Sequence, residues 1–593
     1  MIPLKQDIRQ QKQFYTKVTY NVSTYLRVYM NKEIEILIKK FALQNAVKYE
    51  KAPQIGAVMG KLMGEHPELR AKAREISPLI GIILKDIASG SPDEWQEELK
   101  TLAPELIDEL SVRKEPDKGL KPLPDSKDRI VMRFAPNPNG PPTLGSTRGI
   151  VVNSEYVRKY DGTFIIRFDD TDPVTKRPMP QAYDWYIEDC KWLGAEPDQV
   201  VIASDRLPVY YEYAESLIAF GHAYVCACTQ DEFKKLKDTK QACPHRDIAP
   251  ENNLREWKRM LAGEYNERTV VLRIKTDIKH KDPAIRDWGA FRIIKTPHPR
   301  PEVGDKYVVW PMLDFEGAIE DHLLGVTHII RGKDLIDSES RQKFIYDYLG
   351  WTYPHTFHWG RVKMHEFGKF STSALRTSIE AGEYSGWDDP RLPTLRALRR
   401  RGIRPEALRK FFIDMGVGET DVSLSLDNLY AENRKLIDAD ANRYFFVWDP
   451  VKLEITGFEP TVARLSLHPS EDRGFREIPV SNSVFVCSQD IKDARPGDVL
   501  RLKDLCNIRI IDGNTAEFIG YDIETIKKGT GRIIHWAPVD GISVSVMTPE
   551  GEITGIGEAG IIKELDAVVQ FERYGYVRID SVNKQVIAYF THK

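Results

Sequence analysis

The chain has 593 residues, of which 41% are hydrophobic and 29% are charged, and its formal net charge is −3. This length exceeds what one hydrophobic core organises and predicts roughly four or five domains, while the composition excludes a disordered protein. No apolar run reaches the length of a membrane span, and the first residues lack the apolar stretch of a signal peptide. We therefore expect a cytoplasmic protein with no membrane partner.

The chain begins with helical patterns. Ile34, Ile38 and Phe41 recur at helical spacing, and similar stretches follow, which predicts a helical N-terminal extension over residues 1–110. The next segment, 111–128, is charged, contains prolines and has no periodicity. This segment is typical of a linker.

Strand and helix patterns alternate after the linker. An apolar strand over 130–134, a helical segment over 144–160 and a second strand from Thr163 form a βαβ pattern. Such a unit predicts a parallel, doubly wound sheet. We expect this Rossmann-type domain to span 129–225 and 306–340, within a multidomain α/β protein.

An insertion over 226–305 interrupts the predicted sheet. It contains two close pairs of metal-binding side chains, namely Cys226 with Cys228 and Cys243 with His245. Six cysteines in a chain of this size do not form a disulfide framework, and these four ligands suit tetrahedral zinc. The alternative is a group of three buried thiols with a surface histidine.

Helical patterns return over 341–440, and short alternating strands with Gly, Pro and Asp turns follow over 441–593. The second region is typical of β-barrels. Within the first region, Arg391 to Lys410 contains eight Lys or Arg residues and one acidic residue. This run is either a phosphate-binding surface or an ordinary solvated helix face.

The turn after the first strand is a candidate nucleotide-binding element. The sequence RFAPNPNGPPTLGSTRG runs from Arg133 to Gly149. Gly140 lies in the turn and Gly145 lies at the start of the helix, so a phosphate can approach the backbone where free helix amides attract it. A Pro/Gly turn between a strand and a helix is also a common connector.

This stretch resembles the Pro-x-x-Gly-x-x-His-Ile-Gly-His element of class I aminoacyl-tRNA synthetases. The resemblance implies that Pro138, Gly140 and Gly145 bind ATP. It also implies catalytic and ATP-binding roles for Thr143 and Ser146, which occupy the two histidine positions. Hydroxyls donate hydrogen bonds but bring no positive charge to the α-phosphate.

The sequence GKFSTSALR, residues 368–376, is similar to the Lys-Met-Ser-Lys-Ser loop of the same class. Lys369, Ser371 and Ser373 match that pattern, and Thr372 replaces its second lysine. The resemblance implies that all three matching residues bind ATP. It also implies that Lys369 and Ser371 are catalytic, with the lysine and Mg²⁺ offsetting the charge of the triphosphate.

The segments RFDDTDP and SGWDDPR, together with the β-rich C-terminal region, resemble the glutamyl/glutaminyl branch of this class in its archaeal and eukaryotic form. The resemblance implies that Asp169 binds the α-ammonium of the substrate. A side-chain carboxylate requires cationic partners, for which the resemblance provides Arg133 and Arg331. The alternative for Arg331 is a structural ion pair with Asp334 or Asp337.

The resemblance further implies that the insertion binds the acceptor end of tRNA and that the C-terminal barrels read the anticodon. The expected reaction is the activation of glutamate with ATP and Mg²⁺, followed by transfer to tRNA(Glu), carried out by a monomer. A glutaminyl-tRNA synthetase is one alternative, although Arg331 favours glutamate. A non-catalytic tRNA-binding paralogue is another, motivated by Thr143, Ser146 and Thr372.

Overall fold

The computed structural model describes residues 32–48, 51–104, 106, 119–126, 129–366, 371–524 and 531–593. The chain divides into two compact units, 1–117 and 118–593. The predicted multidomain α/β class is confirmed, because helices and several separate sheets alternate along the chain. No helix in the described ranges is both long and apolar enough to cross a membrane.

The described part of the first unit is helical. Its apolar faces meet in a core that includes Ile38, Leu62 and Leu99, each fully buried. Helix Pro92–Leu102 begins with a capping box, in which the backbone N–H of Ser91 donates to the Glu94 carboxylate at 2.7 Å and so satisfies a free helix-end donor. The helices span 32–48, Ile55–Glu65, Ala73–Ala88 and Pro92–Leu102.

Two interleaved sheets form the first half of the second unit. One has the strand order β3-β2-β1-β8-β9 with parallel neighbours, and the other has the order β4-β5-β6-β7 with antiparallel neighbours. In chain order the strands are β1 Val131–Phe134, β2 Thr163–Phe168, β3 Gln199–Ile202, β4 Ala223–Cys226, β5 Val271–Ile274, β6 Gly289–Ile293, β7 Val309–Pro311, β8 His328–Gly332 and β9 His355–Trp359.

The parallel sheet has a switch point at β1, because β2 pairs on one side of this strand and β8 on the other. In open parallel sheets the crevice at the carboxyl ends of such strands is the usual ligand site. The functional residues are therefore expected at this edge of the sheet. The helices that follow or link these strands are Leu144–Lys159, Pro180–Trp192, Leu207–Ala219, Leu313–Leu323 and Ile336–Leu349.

Strand pairing moves the limits of both sheets away from the predicted boundaries. The parallel sheet extends beyond 340, because its last strand, β9, pairs with β8. The antiparallel sheet extends past both ends of 226–305, because its outer strands β4 and β7 begin at Ala223 and Val309. Helices Gln230–Asp238 and Pro250–Leu261 lie between β4 and β5.

Residues 341–440 are not purely helical, contrary to the prediction for this range. In addition to β9, strands β10 Val362–Met364 and β11 Val422–Leu424 form a parallel pair. Leu398 and Phe411 of its helices share a buried core with Ile150 and Tyr156, so this region packs directly on the parallel sheet's first helix. Its helices are Thr372–Glu380, Leu395–Arg400, Pro405–Met415 and Asp427–Ile437.

The C-terminal region consists mainly of strands, as its alternating pattern predicts. Two seven-stranded sheets, ordered β12-β25-β26-β27-β23-β24-β13 and β21-β18-β19-β20-β14-β17-β22, have separate apolar cores, and β15 pairs with β16. The strands are β12 Arg443–Tyr444, β13 Phe446–Trp448, β14 Pro450–Thr456, β15 Thr461–Ser466, β16 Phe475–Val480, β17 Ser483–Cys487, β18 Val499–Leu502, β19 Cys506–Ile510, β20 Thr515–Gly520, β21 Arg532–Ile534, β22 Ala537–Pro538, β23 Ile542–Thr548, β24 Gly551–Gly557, β25 Val568–Phe571, β26 Gly575–Val582 and β27 Val586–His592.

Candidate active site

The carboxyl ends of three adjacent parallel strands carry the three predicted amino-acid-binding residues. Arg133 lies near the end of β1, Asp169 directly follows β2, and Arg331 lies near the end of β8. Their exposed fractions are 8%, 8% and 6%, so each charge is largely withdrawn from water. A buried charge is costly unless it has a partner, so the partners of these three residues define what the site can bind.

Arg133 and Asp169 belong to one buried ion-pair network. Arg133 donates from Nε and Nη2 to the two oxygens of Asp321 at 2.9 and 3.0 Å. Arg167 donates from Nη1 to Asp321 at 2.7 Å, and from Nε and Nη2 to Asp169 at 2.6 and 3.1 Å. Burial alone would raise the pKa of Asp321, but Arg133 and Arg167 lower this pKa to about 2. Asp321 is therefore ionised at neutral pH.

Arg331 has no carboxylate within ion-pair distance among the described residues. The alternative of a structural ion pair with Asp334 or Asp337 is therefore wrong. Instead Nη1 donates to Gln342 Oε1 at 3.1 Å and Nη2 donates to the Tyr353 hydroxyl at 3.3 Å, while the buried Nε has no partner. Burial lowers the pKa of this guanidinium. Arg331 thus brings to the edge of the sheet a buried guanidinium whose hydrogen-bond partners are neutral.

The two hydroxyl residues of the nucleotide-binding turn form the start of a helix. Thr143 is the N-cap of helix Leu144–Lys159. Its backbone N–H donates to Ser146 Oγ at 2.7 Å, and Ser146 Oγ donates back to the Thr143 carbonyl at 2.9 Å. The two hydroxyl oxygens lie 3.4 Å apart. The Ser146 hydroxyl is therefore engaged in satisfying the free groups of the helix end.

A distant segment of the chain holds this turn in place. The Leu144 N–H donates to the Pro393 carbonyl at 2.8 Å, and the Leu395 N–H donates to the Pro142 carbonyl at 2.9 Å. These bonds form a short antiparallel bridge, which fixes the turn against the beginning of the basic run. Main-chain pairing of this kind leaves no side-chain signal, so the sequence did not predict it.

The loop that bears the predicted lysine is described only in part, since Lys369 lies outside the described residues. Ser371 is the N-cap of helix Thr372–Glu380, and its hydroxyl accepts the Ala374 N–H at 3.2 Å. The Ser371 and Ser373 hydroxyl oxygens also lie 3.2 Å apart. Both matching serines therefore lie at the beginning of one helix.

Gly140 is where the turn and the lysine loop meet. A Cβ atom at this position would lie 2.3 Å from Cγ2 of Thr372 and 3.1 Å from the Trp387 ring. Only glycine permits this close approach. On the other side of the turn the Pro138 carbonyl accepts the Met179 N–H at 2.8 Å. The two predicted ATP-binding elements are therefore in direct contact.

The four predicted metal ligands converge beside the antiparallel sheet. The ligand atoms of Cys226, Cys228, Cys243 and His245 all lie within 4.8 Å of one another. Cys226 Sγ is 3.8 Å from Cys243 Sγ, and His245 Nδ1 is 3.5 Å from Cys228 Sγ and 3.7 Å from Cys243 Sγ. A tetrahedral zinc ion with Zn–S bonds of about 2.3 Å separates its sulfur ligands by about 3.8 Å. The geometry fits such an ion, and His245 is not a detached surface residue.

The basic run is largely neutralised by acidic partners. Arg400 pairs with Asp388 and with Asp580, each at 2.9 Å, and Arg396 pairs with Glu188 at 3.1 Å. These carboxylates offset much of the charge that was predicted to face phosphates. Further pairs join Arg391 to Asp389, Arg409 to Glu155 and Lys410 to Asp414.

Residues 129–439 match the family described as tRNA synthetases class I (E and Q), catalytic domain. Residues 441–523 match the anti-codon binding domain of the same synthetases. The first match alone covers more than half of the chain, so the protein belongs to this family of class I tRNA synthetases. The family resemblance predicted from the sequence motifs is confirmed.

Archaeal relatives extend this similarity to nearly the full length. The chain is 66% identical over 568 residues to the glutamate–tRNA ligase of Methanococcoides burtonii, covering 95% of this chain and 100% of the relative. It is 64% identical over 561 residues to that of Methanosarcina acetivorans, covering 94% and 98%. It is also 62% identical over 566 residues to that of Methanothrix thermoacetophila, covering 95% and 100%.

Proposed function

We propose that this protein activates glutamate with ATP and transfers the glutamyl group to the 3′ end of tRNA(Glu), which is the activity for which its archaeal relatives are named. The observation that carries the proposal is Arg331. This buried guanidinium has only neutral hydrogen-bond partners, at the edge of the sheet where Asp169 also lies. A buried cation without a counterion favours an anionic ligand.

The substrate would lie across the three strand ends. The α-ammonium group binds at Asp169, and the side-chain carboxylate binds at Arg331. Arg133 contributes from beside them, because its bidentate pair with Asp321 uses Nε and Nη2 and leaves Nη1 outside that pair. A fork of guanidinium donors suits a carboxylate better than a neutral amide.

ATP would bind at the turn and the adjoining lysine loop. The proposed contacts are the backbone at Gly140 and Gly145 and the positive end of the dipole of helix Leu144–Lys159, where a phosphate is favoured. Mg²⁺ bound with ATP would offset part of the phosphate charge. The remaining proposed ATP-binding residues are Pro138, Thr143, Ser146, Lys369, Ser371 and Ser373.

The reaction needs no nucleophile from the protein. An oxygen of the glutamate α-carboxylate attacks the α-phosphorus of ATP, the bond to pyrophosphate breaks, and glutamyl-adenylate forms. A hydroxyl of the terminal adenosine then attacks the activated carbonyl carbon. AMP leaves with the electron pair of the broken bond, and the hydroxyl proton is released. The protein acts by holding these groups in line and by stabilising developing charge.

We also propose that Cys226, Cys228, Cys243 and His245 hold a structural zinc ion. Four protein ligands leave no open position for a reacting group, which is typical of structural sites. The ion would link the end of β4 to the segment before helix Pro250–Leu261. The donor distances given above support this assignment.

The large surfaces of the protein have proposed roles in tRNA binding. The antiparallel sheet would bind the acceptor end, and the C-terminal sheets would read the anticodon. The basic run Arg391 to Lys410 lies between these regions in the chain, and its remaining positive charge would contact the phosphate backbone. A monomeric state and a cytoplasmic location stay predictions.

Aminoacylation of purified tRNA(Glu) and tRNA(Gln), with glutamate and glutamine in parallel, tests the proposal. We expect glutamate to be attached to tRNA(Glu). Preferential attachment of glutamine would instead identify a glutaminyl-tRNA synthetase. Absence of ATP–pyrophosphate exchange with tRNA present would favour a non-catalytic tRNA-binding paralogue.

A further inference from the structure

The side chains around Arg331 form a closed triangle of hydrogen bonds. Arg331 Nη1 and the Tyr353 hydroxyl both donate to Gln342 Oε1, at 3.1 and 2.7 Å, and the same hydroxyl accepts from Arg331 Nη2 at 3.3 Å. Each partner therefore fixes the other two. Burial raises the pKa of Tyr353 to about 12, although Arg331 opposes this, so the hydroxyl keeps its proton. Both partners of Arg331 are neutral.

The other two buried arginines of the edge have a different environment. Arg133 and Arg167 contact carboxylates at 2.6 to 3.1 Å, and these contacts balance their charge inside the protein. Arg331 is equally buried, yet Gln342 and Tyr353 supply hydrogen bonds without a negative charge. The fold thus holds the Arg331 guanidinium in a fixed orientation with neutral hydrogen-bond partners, while Asp321 and Glu339 act on it only through space.

Close packing determines the orientation of the Gln342 amide. Gln342 lies on helix Ile336–Leu349 and is 3% exposed. Its Nε2 is 2.9 Å from the position that a Cβ atom would take at Gly317, so the absence of a side chain there makes room for the amide. Since two donors face Oε1, the amide oxygen has to point towards Arg331.

We propose that Gln342 and Tyr353 are positioning residues for substrate specificity, which orient Arg331 through neutral hydrogen bonds and so keep its charge available for the side-chain carboxylate of the substrate. This inference rests on the proposed use of glutamate. A carboxylate at position 342 would satisfy the same donors but would neutralise the charge that the substrate requires.

The test is Gln342→Glu, compared with Gln342→Met, in ATP–pyrophosphate exchange with tRNA present. We expect Gln342→Glu to raise the KM for glutamate about 10- to 100-fold, and Gln342→Met to raise it about 3- to 10-fold, because only the first adds a competing charge. The KM for ATP should stay unchanged in both. Asp347→Asn, an exposed position on the same helix, is the matched control and should behave as wild type.

Equal effects of Gln342→Glu and Gln342→Met would overturn the inference, since the charge would then have no role. Tyr353→Phe provides a second test if the first variant does not fold. It should raise the KM for glutamate about 3- to 10-fold with that for ATP unchanged, and an unaltered KM for glutamate would contradict the proposed role. Failure of the wild-type protein to use glutamate would instead refute the proposed function itself.

Discussion

The edge at the carboxyl ends of β1, β2 and β8 and the turn after β1 use polar side chains in opposite ways. At the edge, the buried Arg331 guanidinium has only neutral hydrogen-bond partners, and its Nε has none. At the turn, the hydroxyl of Ser146 is already occupied by the backbone of Thr143. We propose that side chains select the ligand at the edge, whereas at the turn they build the backbone geometry that receives it.

The largest expected effect is at the edge. Arg331→Cys removes the buried cation, and we expect kcat/KM for glutamate to fall about 100- to 1,000-fold, because an anion would be left without a partner in a desolvated site. The KM for ATP should change less than about threefold, because Arg331 is not one of the proposed ATP-binding residues. Pyrophosphate exchange at varied glutamate and varied ATP measures both values. Unchanged glutamate activation would refute the assignment of the pocket.

At the turn, a backbone substitution should matter more than the loss of a hydroxyl. Gly140→Ala places a Cβ atom 2.3 Å from Thr372 Cγ2, so the helix after the lysine loop has to move. We expect a loss of about 1–3 kcal/mol in the free energy of unfolding and about a tenfold rise in the KM for ATP. Gly418→Ala is the control, since a Cβ atom there meets nothing within 4 Å. Equal behaviour of the two variants would argue against a close contact at Gly140.

The Cys/His cluster lies outside both regions. Its loss should therefore change neither the binding of the amino acid at the edge nor the binding of ATP at the turn. We expect about one zinc ion per chain in the purified protein. Cys243→Ser should remove most of this zinc and lower the free energy of unfolding by about 1–3 kcal/mol, with little change in the KM for glutamate. Metal analysis and thermal melting check these outcomes. The zinc site would be contradicted if the wild-type protein contained no zinc and its stability equalled that of Cys243→Ser.

The smallest effect is expected for a hydroxyl at the turn. Ser146→Ala removes both hydrogen bonds between Ser146 Oγ and the Thr143 backbone, and it should cost about 1 kcal/mol of stability. Because the backbone course is retained, kcat for glutamyl-adenylate formation should fall less than about threefold. Single-turnover kinetics would measure this step. A loss of 100-fold or more would show that the hydroxyl contacts the phosphate directly, and the contrast between the two regions would fail.

The sequence predicted the edge better than its internal partners. The family resemblance supplied Arg133, Asp169 and Arg331. Each follows a strand or lies near its end, and the ends of parallel strands meet in space, so their proximity could be expected. Asp321 and Gln342 were missed, because they reach the edge from separate helices that only the tertiary packing brings near. No local pattern marks such positions.

The metal cluster and the turn also differ in how much of each could be predicted from the sequence. Two close pairs of soft ligands are a specific local signal, and the structure brings all four ligands together. The capping pair of Thr143 and Ser146 has the three-residue spacing of a helix start, a signal that could have been recognised. The bridge to Leu395 could not, since main-chain pairing carries no residue signature.

We propose that Arg331, a buried guanidinium with only neutral hydrogen-bond partners, selects glutamate. The most direct test is the ratio of kcat/KM for glutamate to that for glutamine, measured with the wild-type protein and tRNA(Glu). We expect a ratio of about 100 or more, because a neutral amide leaves the cation without an anionic partner. A ratio near one, or a preference for glutamine, would contradict it.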